Sequence, residues 1–167
     1  NDTGNAIANS LAAVQSGVRQ IQGTLNGIGE RCGNANLITL IPTLLLKERF
    51  NKNFNISITK DSLKNIRKTS LIIDDIMNRA PNKQAPYVGD SAFSTKAGIH
   101  ASAIVKDPKT YEHVDPKLIG NDRKLLISDQ GGRSNILSSL KDIGFNVDKD
   151  DSRIADLLNI VKEREAA

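Results

Sequence analysis

The sequence contains one cysteine, no tryptophan, and aromatic residues at only 4% of its 167 positions. A single cysteine cannot form a disulfide framework, so we expect a reducing, cytoplasmic location. The net charge is +4, but lysine and arginine are spread along the chain. Nucleic-acid modules concentrate positive charge and add stacking surfaces, so we expect no nucleic-acid partner. No apolar run approaches the ~20 residues that span a bilayer, and no secretion signal is recognisable, so we expect no membrane partner.

Apolar residues at helical spacing dominate the first third of the chain. Residues 2–17 predict a helix that ends at Gly17, and residues 37–45 predict a second helix in which Pro42 produces a kink or marks an early turn. Between them, residues 18–25 are rich in Val, Ile and Thr and predict a strand. An order of helix, strand, glycine loop and helix is typical of α/β proteins.

The rest of the chain predicts helices separated by a long irregular segment. Thr59 is expected to cap an amphipathic helix whose inner face carries Leu63, Ile66, Ser70, Ile73 and Met77. Four prolines interrupt the following region, so residues 82–120 are predicted to be largely irregular. Two further helices are predicted at residues 135–143, which Gly144 ends, and at residues 151–165, with Ile154, Leu157, Leu158 and Val161 facing inward.

Residues 27–37, GIGERCGNANL, form the loop that follows the predicted strand. The glycine spacing is one residue too long for a dinucleotide fingerprint, and no Lys-Ser/Thr follows to make a phosphate-binding loop. A turn that needs positive φ would explain the glycines by itself. However, Glu30, Arg31 and Asn34 also lie here, and strand-end loops carry the active sites of many parallel α/β proteins. The amide oxygen of Asn34 suits a hard divalent cation, although one amide cannot hold a metal alone.

Three other side chains are candidates for chemistry. Cys32 has no His or Asp beside it in sequence to activate a thiolate, so we expect it to pack in the interior. His100 and His113 both fall in the irregular region, where a lone histidine is more often structural than catalytic. The residues alone leave the roles of both histidines open.

Two long stretches of the chain resemble one enzyme family. The stretch NDTGNAIANSLAAVQSGVRQIQGTLNGIGERCGNANL is similar to the last third of the catalytic barrel of alpha-isopropylmalate, homocitrate and citramalate synthases. The later stretch YVGDSAFSTKAGIHASAIVKDPKTYEHVDPKLIGNDRKLLISDQGGRSN most resembles the citramalate branch of that family. The resemblance implies a mainly α chain with some β structure: the last strand and helices of a (β/α)8 TIM barrel, followed by helical subdomains.

The resemblance also implies a division of the chain. Residues 1–50 would be the C-terminal part of the barrel, residues 51–120 a linker and first subdomain with a catalytic connector, and residues 121–167 a second helical subdomain. In the family, a metal-binding His-x-His motif stands immediately before Asn-Asp. The chain is therefore expected to begin just after those two ligands. By itself it would then be inactive.

The activity that the resemblance implies is condensation of acetyl-CoA with a 2-oxo acid, in branched-chain amino-acid biosynthesis. A divalent metal (Mg, Mn or Zn) would serve as cofactor with Asn34 as one ligand, and the enzyme would be a homodimer. His100 in KAGIHASA would be catalytic, with Tyr111 assisting it and Glu30 near the thioester. Pyruvate, giving citramalate, is the favoured oxo acid; 2-oxoisovalerate, as in 2-isopropylmalate synthase, is the alternative. A non-catalytic helical assembly or nucleic-acid module is the rival interpretation.

Overall fold

The computed structural model describes residues 1–95, 98–125 and 132–166, and within these ranges the protein is mainly helical with little strand. The described residues form two compact units. The first consists of Asn1–Ala92 and Pro116–Asp122, and the second of Phe93–Asp115 and Arg123–Ala167. None of the helices in the described ranges is long and apolar enough to cross a membrane.

The first unit is built from five α-helices and two short 3-10 helices around an aliphatic core. The largest fully buried side chains of this unit include Ile38, Leu40, Leu63 and Ile119. The α-helices are α1 (Ala6–Gln15), α2 (Leu37–Leu46), α3 (Glu48–Asn51), α4 (Lys60–Leu63) and α5 (Ile66–Ile76), and the 3-10 helices are Leu25–Gly27 and Pro116–Ile119.

The predicted helices α1 and α2 are confirmed. α1 ends at Gln15, and Gly17, which follows the Ser16 cap with a φ of +111°, lets the chain turn back so that Val18 N donates to Ala13 O at 3.0 Å. Asn36 caps the start of α2, because its side chain accepts a hydrogen bond from Ile38 N at 2.9 Å. Pro42 is buried inside α2, and the helix continues past it to Leu46.

The predicted strand at residues 18–25 is wrong. Only Thr24 forms a β-bridge, parallel to Asn36, with Thr24 N donating to Ala35 O and Leu37 N donating to Thr24 O, both at 3.0 Å. A strand needs a neighbour along its whole length to accept its hydrogen bonds. The segment beside Thr24 becomes helical at once as α2, so the pairing stops after one residue.

The helix predicted after Thr59 is confirmed in its cap but divided in two. Ser62 N donates to Thr59 Oγ1 at 3.1 Å, and α4 ends at Leu63 before α5 begins at Ile66. The break lies where Gly120 packs against the backbone, since a Cβ on Gly120 would lie 2.1 Å from the Lys64 carbonyl oxygen. On the predicted inner face Leu63, Ile66 and Ser70 are buried, but Met77 is 47% exposed.

The described part of the second unit contains a small parallel sheet, three α-helices and one 3-10 helix. Strand β1 (Ser94–Thr95) pairs with β2 (Lys124–Leu125), with Ser94 opposite Lys124. The helices are α6 (Gly98–Lys106), α7 (Arg133–Asp142) and α8 (Arg153–Ala166), and a 3-10 helix spans Pro108–Thr110. α6 contacts this 3-10 helix and α7, and α7 contacts α8, so that Ile104, Ile136 and Ile154 are buried.

Predictions for the second unit succeeded for α7 and α8 and failed for α6. Gly144, with φ of +90°, follows the end of α7 as predicted. On α8 Ile154 is buried as predicted, whereas Leu157, predicted to face inward, is 40% exposed. α6 lies inside the region predicted to be irregular. A helix can form there because no proline occurs between Pro86 and Pro108.

Candidate functional site

The glycine loop, residues 27–34, closes on itself through its backbone. Gly33 N donates to Glu30 O at 2.9 Å, and Asn34 N donates to Gly27 O at 3.0 Å. Both Gly27 and Gly33 have positive φ, and a Cβ on Gly33 would lie 2.0 Å from the Gly27 carbonyl oxygen. The glycines are therefore required by the backbone of the closed loop.

The loop fixes the amide of Asn34. Its Nδ2 donates to Ile28 O at 3.0 Å, and a Cβ on Gly29 would lie 2.3 Å from that nitrogen. Gly29 therefore leaves the space in which the amide is anchored. The Oδ1 atom accepts no hydrogen bond from any residue that the structure describes, and Asn34 is exposed. A fixed amide with a free neutral oxygen is suited to serve as one ligand of a hard divalent cation.

Other polar residues of the loop are exposed at its tip. Arg31, at a φ of +52°, donates from Nε to the carboxylate of Asp2 at 3.2 Å. The Glu30 carboxylate is exposed and has no ion pair with a described residue. Cys32 is also exposed, so the prediction that it packs in the interior is wrong. Its place in the outward turn between Glu30 and Gly33 leaves it no core to face.

The second unit brings His100 and Tyr111 together. Their rings stack with centroids 4.5 Å apart and planes inclined by 21°. His100 lies on α6, and Tyr111 follows the 3-10 helix that Asp107 caps by accepting a hydrogen bond from Lys109 N at 3.0 Å. Tyr111 is 55% exposed, so the stacked pair is accessible from solvent.

A charged pair beside Tyr111 was missed by the sequence analysis. Arg123 donates to both carboxylate oxygens of Glu112, from Nε at 2.5 Å and from Nη2 at 2.6 Å. The Glu112 side chain is only 7% exposed, and its hydrogen bond to Arg123 raises the pKa of that guanidinium. Pro116 lies between the two residues in a segment without a continuous helix or strand, so no periodic pattern in the sequence connects Glu112 with Arg123.

The described residues do not form a complete metal site. Among them, no group of three His, Cys, Asp or Glu side chains is arranged to hold a metal ion. Asn34 therefore fits a metal as a single ligand and not as a complete site. Asn34 belongs to the first unit, and the His100–Tyr111 pair belongs to the second.

Comparison with known proteins assigns both parts of the chain. The family model described as HMGL-like matches residues 1–70, and the one described as homocitrate synthase post-HMGL domain-like matches residues 87–166. The (R)-citramalate synthase of Synechocystis is 46% identical over 99% of this chain and 29% of its own length. That of Sulfolobus acidocaldarius is 44% identical over 99% of this chain and 31% of its own length.

A third relative is more distant and carries another name. The 2-isopropylmalate synthase of Methylacidiphilum infernorum is 40% identical over 90% of this chain and 29% of its own length. The chain therefore spans less than a third of the length of these curated relatives. The two family models follow one another along the chain and together cover nearly all of it. The chain belongs to the family of HMGL-like synthases whose members include the (R)-citramalate and 2-isopropylmalate synthases.

Proposed function

We propose that this chain is part of a longer cytoplasmic acyltransferase that condenses acetyl-CoA with pyruvate, giving (R)-citramalate and CoA. The observation that carries the proposal is the 43–46% identity, over 99% of the chain, to five proteins named (R)-citramalate synthase. The stacked His100–Tyr111 pair supports it, because the two residues expected to act together are adjacent.

The proposed domain organisation follows the same similarity. Residues 1–50 form the C-terminal part of a TIM-barrel domain, residues 51–120 a linker and first subdomain, and residues 121–167 a second helical subdomain. The parallel bridge between Thr24 and Asn36 supports the first assignment, because parallel pairing is the rule in such barrels.

In the proposed reaction the acetyl methyl group loses a proton, and its carbon attacks the ketone carbon of pyruvate. Water then cleaves the thioester and releases CoA. A ring nitrogen of His100 transfers the proton, either at the methyl carbon or at the oxygen of the attacked ketone. Tyr111 holds the imidazole plane by stacking, and the exposed Glu30 carboxylate contacts the region of the thioester.

A divalent cation is the proposed cofactor, as magnesium, manganese or zinc. When bound, it supplies Lewis-acid polarisation of the ketone of the oxo acid. Asn34 Oδ1 is the ligand that this chain contributes, and the anchored Nδ2 keeps that oxygen turned away from Ile28.

The direct test is CoA release by the purified full-length protein, supplied with acetyl-CoA and either pyruvate or 2-oxoisovalerate. We expect a higher kcat/KM with pyruvate, and loss of activity after chelation that added Mg²⁺ or Mn²⁺ restores. Preference for 2-oxoisovalerate would assign the protein to the isopropylmalate branch. Absence of CoA release with either substrate would refute the acyltransferase proposal. A binding affinity for nucleic acid that falls steeply with salt would favour the non-catalytic alternative.

The role of His100 has a separate test in the same protein. His100→Ala should lower kcat by about 10²-fold or more while leaving the KM for pyruvate nearly unchanged, because a proton-transfer group acts mainly on the chemical step. His113→Gln is the matched control, since the only other histidine stacks on Phe93 with ring centroids 5.8 Å apart. An equal loss in the two variants would contradict the assignment.

We also propose that the enzyme is a homodimer in which His100 serves the partner's site. Mixing His100→Ala subunits with Asn34→Ala subunits then creates dimers with one site damaged twice and one site intact. Activity should recover toward half of the wild-type value per mixed dimer. Lack of recovery, with subunit exchange confirmed by mass spectrometry, would place His100 in the site of its own subunit.

A further inference from the structure

Tyr111 has few contacts of its own to hold it over His100. Its side chain is 55% exposed, and its hydroxyl makes no hydrogen bond to a described residue. Its backbone N donates to Pro108 O at 3.2 Å, which fixes the chain but not the direction of the ring. A single exposed aromatic contact is too weak to immobilise a side chain in water.

The next residue is held far more firmly. Glu112 N donates to Pro108 O at 2.8 Å, and its nearly buried carboxylate receives both hydrogen bonds from Arg123. Two parallel charge-assisted bonds fix geometry as well as adding energy. Removing Arg123 would leave the nearly buried Glu112 carboxylate without its partner, which is unfavourable.

Arg123 is itself anchored to the small sheet. It directly precedes β2, whose Lys124 N donates to Phe93 O at 3.0 Å, and β2 pairs with β1. The Glu112 carboxylate is thereby tied to the sheet through Arg123. Since Tyr111 and Glu112 are adjacent, fixing the side chain of Glu112 on one side of the backbone restricts where the Tyr111 ring can lie.

We infer that Glu112 and Arg123 are positioning residues that hold Tyr111 against His100, an inference that rests on the function proposed above. Neither residue touches a reacting group. They act through Tyr111, and their loss lets the ring leave the imidazole.

The competing explanation is that the pair only stabilises the second unit. A double-mutant cycle distinguishes positioning of Tyr111 from general stabilisation, because mutations of residues that act through one another do not have additive effects. In the full-length enzyme Arg123→Ala should lower kcat about tenfold, since small misplacements of catalytic groups cost factors of 10 to 10², with the KM for pyruvate nearly unchanged. In a Tyr111→Ala background the same change should lower kcat less than about twofold. Swapping the charges, Glu112→Arg with Arg123→Glu, should restore most of the turnover.

A second measurement does not depend on turnover. Stacking places the His100 ring protons above the Tyr111 ring, which shifts their NMR resonances upfield. In full-length protein labelled with ¹³C-histidine, the His100 signal is identified by its loss in His100→Gln. Arg123→Ala should move that signal toward its position in Tyr111→Ala, because the stack is released.

The matched control is Arg153→Ala. It removes another arginine–carboxylate pair of the same unit, in which Arg153 Nη2 donates to Asp151 Oδ2 at 2.6 Å. Turnover and the His100 resonance should both stay at wild-type values.

Two results would overturn the inference: equal loss of kcat from Arg123→Ala in both backgrounds, or an unmoved His100 resonance in Arg123→Ala. If the wild-type protein releases no CoA, the proposed function fails, and the resonance alone decides whether the pair positions Tyr111.

Discussion

Replacing Gly33 with alanine should open the glycine loop. The new Cβ would lie 2.0 Å from the Gly27 carbonyl oxygen, whereas real Cβ contacts essentially never fall under 3.0 Å. The backbone must therefore move by at least 1.0 Å, because the atoms nearest to the new Cβ are main-chain atoms of Gly27 and Gly29 and not flexible side chains. The movement stretches the Asn34 N to Gly27 O hydrogen bond, which is 3.0 Å long in the structure.

The size of the effect follows from two contributions. An alanine at φ of +77° adds left-handed backbone strain of about 1–2 kcal/mol. Loss of the hydrogen bonds that close the loop, at about 1 kcal/mol each, adds a similar amount. We expect Gly33→Ala to lower the free energy of unfolding by about 3–4 kcal/mol, a large part of ordinary protein stability.

Gly4 provides a control with the same backbone conformation. Its φ is +76°, but no atom lies within 4 Å of the position that a Cβ would occupy. Gly4→Ala carries only the strain and should lower stability by about 1–2 kcal/mol. Urea unfolding followed by far-UV circular dichroism, with matching m-values, measures both variants. If the two differ by less than about 0.5 kcal/mol, the argument that the Gly27 contact requires glycine is refuted.

Three further predictions concern single side chains. Gly29→Ala should displace the Asn34 amide and raise the Mg²⁺ concentration that half-activates the full-length enzyme at least tenfold. The free energy of unfolding should change by less than about 1 kcal/mol, because Asn34 is exposed. An unchanged Mg²⁺ dependence would contradict this prediction. Asn121→Asp should destabilise the protein by at least about 3 kcal/mol in urea unfolding, because the buried Nδ2 donates to the carbonyls of two residues and a carboxylate would repel them; a loss under 1 kcal/mol would contradict it. A hydrogen bond from Arg153 lowers the pKa of Asp151 from 3.8 to about 2, so the pair stabilises the fold above pH ~4 and that stability is lost as the pH falls toward 2. Arg153→Ala should raise that pKa in a carboxyl NMR titration, though not fully to 3.8 because the backbone N of residue 153 still donates to Asp151; an unchanged value would contradict the assignment.

The features that the sequence predicted correctly depend on residues close together along the chain. The Thr59 cap, the turn at Gly17 after α1 and the helix α2 each follow from a few neighbouring residues. The pairing of His100 with Tyr111 was expected from family resemblance, and the stacked rings agree with it. Their catalytic roles stay predictions.

The features that the sequence missed depend on partners far away along the chain. Residues 18–25 have strand composition, but only Thr24 finds a pairing partner, and composition cannot report the absence of a neighbour. The division between α4 and α5 arises where Gly120 packs against Lys64, a contact across more than fifty residues. The Glu112–Arg123 pair could not be predicted either, because charged residues usually face solvent and the sequence does not show which of them form a pair.

The first unit is discontinuous: Pro116–Asp122 completes a body that otherwise ends at Ala92. Ile119, which is fully buried, and Gly120 with its close approach to Lys64 both belong to this returning segment. During synthesis the first unit cannot finish folding until Asp122 has left the ribosome. Docking of Pro116–Asp122 closes the intervening segment Phe93–Asp115, which carries His100 and Tyr111, into a loop of 23 residues. The entropic cost of closing this loop grows only logarithmically with its length. Insertions within Phe93–Asp115 should therefore reduce the stability of the first unit far less than a chain cleavage that separates residues 116–122 from it.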